Sequence, residues 1–456
     1  MKNLHCLLLL SIFGLNGMAA QISLRGKIAN VPPNAVKKAI LEYWNTERWQ
    51  QLETITLDSD GSFSVSVDAP VQAQARLRMV NQPRYWADFL LPAPAQEERE
   101  LVFDMDFNLM DGGPARVVGS PENDLYHTLM SAQHGLAKLR DSERKATLAQ
   151  IEAAERDLNR LCRDIATQHK GTFSGDIVAP LLIQPQKQDY PNNPKVANMT
   201  ANEFAVAYSL DEVPFRYERV LYHTGFVKAL NRYYHYFDRK SPEGGKQYID
   251  GVMSRRNGND EVDNYVFRYL LDKMMDYKDE AGLTYLLTWY LPDCPDENPL
   301  PNSTLNLLEA LKNCEPGKLV PDLRLPDLSG QIVSLGEVCA KNKMTLLLFW
   351  RSNCSHCKEF EPRLMEIYGK YRPLGVEVFA LSSDKMEQDW RTHLEKEPTP
   401  WLNVFIPAHQ RREINRQFPS PSTPTLISID RERKVLSRLI VRSQLEAYLE
   451  EVLPSL

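Results

Sequence analysis

The sequence predicts a multidomain protein with a small all-β sandwich, an α-helical domain and a C-terminal α/β domain. Apolar residues alternate over residues 21–118 and recur at helical spacing over residues 119–315. Strands and helices then alternate over residues 316–456. The length of 456 residues agrees with this division, because domains of roughly 100 to 200 residues are usual.

The composition is that of an ordinary globular protein, with 43% hydrophobic and 25% charged residues. Acidic and basic residues are interspersed, and the formal net charge is -6. No run rich in lysine and arginine is present, although proteins that bind nucleic acid need such basic surfaces to neutralise phosphates. We therefore expect no nucleic-acid partner.

Residues 1–20 have the pattern of a secretory signal peptide. Lys2 precedes an apolar stretch from Cys6 to about Leu15, and small residues ending at Ala20 offer a cleavage site. The stretch is about half of the roughly 20 residues that span a bilayer, so we expect cleavage instead of anchoring. This pattern predicts export to the periplasm or cell envelope, with no transmembrane segment in the mature chain.

The β-sandwich is predicted over residues 21–118. Ile22, Leu24 and Ile28 alternate in the manner of a half-buried strand. Farther along, two alternating runs flank the dipeptide Asp60-Gly61, which is typical of tight hairpin turns. We therefore expect the strands on the two sides of this turn to pair as a β-hairpin, and the short strands together to make a sandwich.

The α-helical domain is predicted over residues 119–315. Ser120, Pro121 and Glu122 mark its first helix, because they suit the N-cap, the first position and the first turn. Aromatic residues cluster in this region, and helix packing explains them more simply than a ligand site does. No pattern in residues 21–315 points to catalysis, so the sequence predicts no specific role for them.

The C-terminal α/β domain is predicted over residues 316–456. Strands are expected at residues 345–350, 376–381 and 402–406, followed by a hairpin of residues 425–429 and 434–440. Helices are expected at residues 354–371, 385–395 and 443–452. This order is typical of βαβ units, in which helices cover a central sheet.

Cys354 and Cys357 form the only CxxC motif in the chain, where a predicted buried strand is followed by a helix. The unpaired N–H groups and the positive dipole of a helix start stabilise a thiolate, so Cys354 is expected to be the more reactive thiol. Cys357 lies one turn later on the same face, within reach of a disulfide. The pair is therefore predicted to attack a disulfide and to resolve the resulting mixed disulfide.

Two other interpretations of the motif are weaker. A zinc site would need two further ligands at comparable spacing, and the sequence has no second CxxC or histidine pair. A purely structural disulfide would close so short a loop that it would stabilise the fold little. The sequence therefore predicts no metal site and no cofactor.

The residues around the motif resemble a known family. The stretch from Phe349 to Cys357, then Pro362, then Thr423-Pro424 before a strand, is similar to the TlpA-like and ResA-like branch of bacterial thioredoxin-fold thiol/disulfide oxidoreductases. The resemblance covers the predicted C-terminal domain, and it implies a thioredoxin-like fold there. The arrangement of sandwich, helical region and thioredoxin-like end also resembles exported proteins of Bacteroidetes-type bacteria.

The resemblance implies a role for each matching residue. Cys354 is expected to be the nucleophile, Cys357 the resolving cysteine, and Pro424 a cis-proline opposite the thiols. Pro362 matches the proline that kinks the first helix. Supporting roles are expected for four residues near the thiols, which are Trp350, Ser355, His356 and Thr423.

Three residues depart from the family pattern. Asn353 replaces a tryptophan that often precedes the first cysteine, Leu348 stands where thioredoxins keep a buried aspartate, and Phe360 where some ResA-like proteins keep a glutamate. No carboxylate is therefore assigned to exchange protons with the resolving thiol. Glu359 and Glu361 flank that position, and we expect both to be solvated surface charges, as charged residues on a helix usually are.

The resemblance implies an exported thiol/disulfide oxidoreductase that acts on protein substrates. We expect it to work as an envelope reductase or isomerase, recharged by a membrane electron donor, with protein thiols and disulfides as partners. His356 opposes a strongly reducing poise, because its protonated ring would stabilise the Cys354 thiolate and hence the reduced form.

Two other functions compete with this one. A thiol peroxidase usually has proline and threonine shortly before its nucleophile, where Leu347 and Arg351 stand here. A binding protein would use residues 21–315 to hold a partner, and its thioredoxin-like part would be secondary.

A second disulfide is a hypothesis for Cys294 and Cys314. The two cysteines flank a short segment with a proline-rich loop and one predicted helix. An oxidising compartment permits such a bridge.

Overall fold

The structure is a computed structural model that describes residues 20–94, 100–141, 146–238, 242–277, 279–291, 302–420, 423–438, 440 and 442–456. The described residues form two compact units, one within residues 1–238 and 250–265 and the other within residues 239–249 and 266–456. Residues 1–19 and Cys294 lie outside the described part, so the signal peptide and the Cys294–Cys314 bridge stay predictions. The domain bounds given above also stay predictions. No described helix is both long and apolar enough to cross a bilayer.

The first unit begins with nine strands that make two sheets. The strands are β1 (Ala20–Ala29), β2 (Lys38–Trp44), β3 (Trp49–Thr56), β4 (Ser62–Ala69), β5 (Gln74–Met79), β6 (Trp86–Leu90), β7 (Glu100–Asp106), β8 (Asp111–Pro114) and β9 (Val117–Val118). One sheet has the order β4-β1-β7-β9 and the other β3-β2-β5-β6-β8. Apolar side chains from both sheets share one core, which includes Leu24, Leu41 and Phe103. These paired sheets are the expected all-β region.

The alternation along β1 has the predicted consequence. Ile22, Leu24 and Ile28 are buried, as a period of two requires when one face of a strand meets the core. Gly26 continues the same face, and a Cβ added there would lie 2.3 Å from the carbonyl oxygen of Phe103. Glycine at this position therefore lets β1 and β7 approach closely.

The predicted hairpin around Asp60-Gly61 is wrong. The turn itself forms, with Gly61 at a φ of 87°, but β3 pairs with β2 and β4 pairs with β1. The turn therefore joins strands of the two different sheets. A turn dipeptide specifies a local reversal of the chain, whereas the pairing partner is decided by the apolar faces that the sheets bury.

The helical region contains ten α-helices in the described residues, and the bounds are α1 (Pro121–Arg140), α2 (Leu148–Gln168), α3 (Ala179–Leu182), α4 (Pro194–Asn198), α5 (Ala201–Tyr208), α6 (Thr224–Tyr234), α7 (Pro242–Met253), α8 (Asp260–Tyr277), α9 (Glu280–Trp289) and α10 (Asn302–Asn313). α1 begins as predicted. The Ser120 hydroxyl accepts a hydrogen bond from the backbone N–H of Asn123, and Pro121 stands in the first turn.

The C-terminal region forms a five-stranded sheet covered by helices. Its elements are β10 (Arg324–Pro326), β11 (Ile332–Ser334), α11 (Leu335–Lys341), β12 (Met344–Trp350), α12 (Ser355–Tyr371), β13 (Val376–Ser382), α13 (Glu387–Lys396), β14 (Leu402–Phe405), α14 (Ala408–Gln417), β15 (Thr425–Asp430), β16 (Val435–Ser437) and α15 (Leu445–Val452). The sheet order is β14-β13-β12-β15-β16, with β12, β13 and β14 parallel and β15 and β16 antiparallel to their neighbours. This is the expected thioredoxin-like α/β region.

The burial of β12 explains its uninterrupted apolar run. Every residue of β12 is buried, because the strand lies in the middle of the sheet and both of its faces are covered.

The helix α14 was not predicted, because its sequence has no comparable apolar pattern. Among its residues only Ile414 is buried, so it has no apolar stripe from which a helix could be predicted.

A buried arginine joins the last helices of the middle region to the C-terminal sheet within the second unit. Arg438 follows β16, and its side chain is 1% exposed. Its Nε donates to Glu280 at 2.8 Å, and its guanidinium also donates to the carbonyl of Leu311. A second pair, between Arg416 and Glu309 at 2.6 Å, links α14 to α10 at the surface.

Arg438→Met should destabilise the protein by about 3 kcal/mol, because it leaves the Glu280 carboxylate without its partner in a largely buried place. Arg416→Met is the matched control, and its loss should stay below about 1 kcal/mol, since both side chains of that pair are well exposed. Urea unfolding of the full chain measures both. Equal losses in the two variants would show that Arg438 does not anchor these helices.

Candidate active site

The CxxC motif lies where β12 ends and α12 begins. Cys354 is the N-cap residue of α12, with extended backbone angles of φ -89° and ψ 114°. Its Sγ accepts a hydrogen bond from the backbone N–H of Cys357 at 3.4 Å. The thiol therefore takes the place of the side-chain oxygen that usually caps a helix, and it faces the unpaired N–H groups of the first turn.

The two thiols differ in exposure. Both are free, and Cys354 is partly exposed, whereas Cys357 is 6% exposed. Cys357 belongs to the apolar core on one side of the sheet, together with Phe360 and Leu364 of the same helix face. A substrate can therefore reach Cys354 more readily than Cys357.

The two thiols also differ in acidity. Burial opposes ionisation of Cys354, but hydrogen bonds with the side chains of Cys357 and Thr423 and from backbone N–H groups outweigh it, so the pKa of Cys354 lies below its ordinary value. Burial, together with the hydrogen bond with Cys354, raises the pKa of Cys357 to about 12. Near neutral pH Cys354 is therefore the thiol that ionises more readily, while Cys357 stays protonated.

Thr423 and Pro424 lie beside the first thiol. The Thr423–Pro424 peptide bond is cis, in agreement with the resemblance. The Cys354 thiol donates to the Thr423 carbonyl oxygen at 3.3 Å. Sequence positions about 70 residues apart are thus in direct contact at the site.

A small cavity lies behind the motif, and its volume of about 20 Å³ is enough for one water molecule. Cys357, Pro424 and Glu361 all line it. The other lining residues are Leu348, Trp350, Phe360, Leu364, Thr399, Trp401 and Asn403. The residues that line the cavity are mostly apolar. Among the described lining residues, Glu361 is the one with a carboxyl group.

The expectation for Glu361 is wrong, whereas Glu359 is exposed as expected. The Glu361 side chain is only 12% exposed, and its carboxylate lies 3.5 Å from Nε2 of His393 on α13. Burial raises the pKa of Glu361, and His393 partly offsets the rise. The signal for this placement was present in the sequence, because Glu361 follows Cys357 by four residues and therefore lies on the same helix face.

The remaining predicted residues fall into buried and exposed groups. Trp350 is buried, while Ser355 and His356 are exposed in the first turn of α12. Asn353 is also exposed, and Pro362 lies inside α12.

Asp384 is a supporting residue that the sequence analysis missed. It lies just after β13 and is 3% exposed. Its two carboxylate oxygens each accept from the backbone N–H of Ser352 at 3.1 Å, and one of them also accepts from the Ser352 hydroxyl. Asp384 therefore fixes the loop that delivers Cys354 to the helix start. Asp384 is far from the CxxC motif in the sequence, so no local sequence pattern connects the two.

These features define a class of protein. A buried central strand, a CxxC at the following helix start and a cis-proline beside the first thiol together make a thioredoxin-like thiol/disulfide oxidoreductase site. A family model described as thioredoxin-like matches residues 342–435. The C-terminal part of the chain is therefore a thioredoxin-like thiol/disulfide oxidoreductase domain.

Curated relatives match about a third of the chain. The thiol-disulfide oxidoreductase ResA of Bacillus cereus is 29% identical over 141 residues, which are 30% of this chain and 79% of the relative. ResA of Oceanobacillus iheyensis is 24% identical over 145 residues, which are 30% of this chain and 73% of the relative. The likeness to ResA thus covers less than a third of this chain and most of the length of the relatives.

Solved structures from Bacteroides also match. The thioredoxin domain of a thiol-disulfide oxidoreductase from Bacteroides vulgatus is 25% identical with a TM-score of 0.29, and the match covers 30% of this chain and 98% of that one. A thioredoxin-like protein from Bacteroides caccae is 19% identical with a TM-score of 0.42, and the match covers 57% of this chain and 96% of that one.

Alkylation near neutral pH should modify Cys354 faster than Cys357 by about tenfold or more, because the thiolate is the reacting species and only Cys354 is both accessible and readily ionised. Mass spectrometry of iodoacetamide-treated reduced protein measures the two rates. The Cys354→Ala variant is the control, in which Cys357 should stay slow. Equal rates for the two cysteines would contradict the assignment.

Proposed function

We propose that the protein is an exported thiol/disulfide oxidoreductase that exchanges disulfides with protein substrates, as a reductase or isomerase of the cell envelope. The observation that carries the proposal is the difference between the two thiols. An accessible, acidic Cys354 beside a buried, weakly acidic Cys357 is the arrangement that a nucleophile and a resolving thiol need.

The reaction follows from this arrangement. The Cys354 thiolate attacks one sulfur of a substrate disulfide, that disulfide breaks, and the other substrate sulfur leaves as a thiolate. Cys357 then loses its proton and attacks Sγ of Cys354, which releases the first substrate sulfur and forms the Cys354–Cys357 disulfide. The substrate gains two electrons from the dithiol, and a membrane electron donor would supply two further electrons to reduce the Cys354–Cys357 disulfide again.

The resolving step needs an acceptor for the Cys357 proton. Glu361 lines the same cavity as Cys357, and the cavity has room for one water molecule. Burial raises the pKa of Glu361, which makes its carboxylate a better base than an ordinary glutamate. Glu361, acting directly or through water, is therefore the group that we assign to this proton.

Thr423 and Pro424 have a positioning role in this proposal. The Thr423 carbonyl lies next to the Cys354 thiol, so a substrate strand that pairs with this backbone would place its sulfur close to Cys354. Recognition through the backbone suits an enzyme that accepts more than one protein substrate.

Export is supported by the pattern of residues 1–20 and by the chemistry of the site. A CxxC that exchanges disulfides with proteins finds such substrates in an oxidising compartment. The relatives named ResA carry the same class of domain.

A mixed disulfide should accumulate on the Cys357→Ser variant, because Cys354 can still attack while the resolving thiol is gone. Cys354→Ala should accumulate none and should lose disulfide exchange to the background rate. Cys339→Ala is the matched control, since Cys339 is a buried free cysteine outside the motif. The measurement is non-reducing electrophoresis of envelope extracts, followed by identification of the attached proteins. Equal trapping by Cys354→Ala would overturn the assignment of the nucleophile.

His356→Pro should lower the redox potential by about 30 mV or more, which corresponds to about 1.4 kcal/mol for a two-electron couple. The backbone N–H of His356 is a hydrogen-bond donor that lowers the pKa of Cys354, and proline removes both this N–H and the ring. His356→Ala keeps the N–H and separates the two effects. A glutathione titration measures the three potentials, and an unchanged or higher value for His356→Pro would show that His356 does not set the poise.

A further inference from the structure

Three side chains with metal-binding groups converge next to the catalytic cavity. Glu361 comes from α12, His393 lies on α13, and Glu397 is the residue that follows the end of α13. One potential ligand atom from each residue lies within 4.8 Å of the other two. Nε2 of His393 is 3.5 Å from the carboxylate of Glu361 and 3.9 Å from that of Glu397. The nitrogen therefore faces two carboxylates and lies in direct hydrogen-bond contact with neither.

The His393 nitrogen has an unusual environment for an ordinary ion pair. The His393 side chain is 8% exposed, and its buried Nε2 makes no hydrogen bond within the described residues. A histidine that donates to a carboxylate does so at about 2.7 to 2.9 Å. A nitrogen held beyond that distance between two oxygens matches the arrangement of ligands around a cation better than it matches one charged hydrogen bond.

A second buried acceptor lies close by. Asn403 lines the same cavity as Glu361 and is 6% exposed. Its Nδ2 donates to the Thr399 hydroxyl at 2.7 Å and to the Trp401 carbonyl at 3.1 Å. Because both of these partners are acceptors, the nitrogen of the amide points toward them and the oxygen, Oδ1, lies on the other side. This Oδ1 is buried and has no hydrogen-bond partner within the described residues. A buried oxygen without a partner is explained by a water molecule or an ion bound in this region.

We propose that Glu361, His393 and Glu397 form a binding site for a divalent transition-metal ion of the Zn²⁺ type. One imidazole and two carboxylates are suitable ligands for Zn²⁺, and three protein ligands leave a fourth position for water. Tetrahedral bonds of about 2.1 Å would bring the ligand atoms to roughly 3.4 Å from each other. The Glu397 side chain is 59% exposed, so it can rotate into this geometry without disturbing the core.

The site shares one residue with the proposed exchange reaction. A bound ion would occupy the Glu361 carboxylate, and this carboxylate would then no longer accept the Cys357 proton. Metal binding itself does not depend on the proposed function, and it can be measured without any exchange reaction.

Metal binding is tested on the full chain carrying Cys354→Ser and Cys357→Ser, because the CxxC thiols themselves bind metals. Co²⁺ is the probe, and its visible absorption spectrum reports both stoichiometry and ligand geometry. Zn²⁺ competition then gives the affinity. This parent protein should bind one ion, with the spectrum of a four- or five-coordinate nitrogen and oxygen site.

His393→Gln and Glu397→Gln should each weaken binding at least about tenfold, as the loss of a metal ligand does. His409→Gln is the matched control, because His409 is an exposed histidine on α14 outside the cluster, and it should bind like the parent. Glu397 is largely exposed, so its variant keeps the test valid if His393→Gln does not fold. The proposal is overturned if the parent binds no ion, or if either variant that folds keeps the parent's affinity.

Discussion

The contact between the Cys354 sulfur and the first turn of α12 is the interaction on which the site depends. Helix starts leave backbone N–H groups without partners, and here the sulfur accepts from one of them instead of the usual side-chain oxygen. A thiolate accepts such bonds more strongly than a thiol does, so the same contact that caps the helix also lowers the pKa of Cys354. This contact therefore contributes both to the fold and to the reactivity of Cys354.

The surrounding structure keeps this contact in place and separates the two thiols. β12 is buried along its whole length, and Asp384 binds the loop that follows it through Ser352. The helix then directs Cys357 into the core, where burial raises the pKa of its thiol and keeps it protonated. The difference between the thiols thus results from their positions at the helix start and inside the core, one turn apart.

The sequence was sufficient for the parts of the site that are local. The apolar run of β12, the cysteine spacing and Thr423-Pro424 could be interpreted within short windows, and the structure brings them together. The fold of β3 and β4 was not accessible in this way, because the turn at Gly61 is local but the choice of sheet is not. The helix α14 lacks an apolar stripe, so its packing left no pattern. Asp384 and the contact of Glu361 with His393 depend on elements that are distant in sequence.

The pH dependence of attack by Cys354 is the most direct test of the central contact. The Cys357→Ser variant keeps a hydrogen-bond donor beside Cys354 and leaves it as the one thiol of the motif. Its rate of reaction with a small aromatic disulfide should reach half of its maximum below the pKa of an ordinary thiol, roughly 8.5. The Cys354→Ser variant should stay slow over the same range, because the pKa of Cys357 is raised to about 12. A midpoint for Cys354 at or above that of an ordinary thiol would contradict a stabilised thiolate at the helix start.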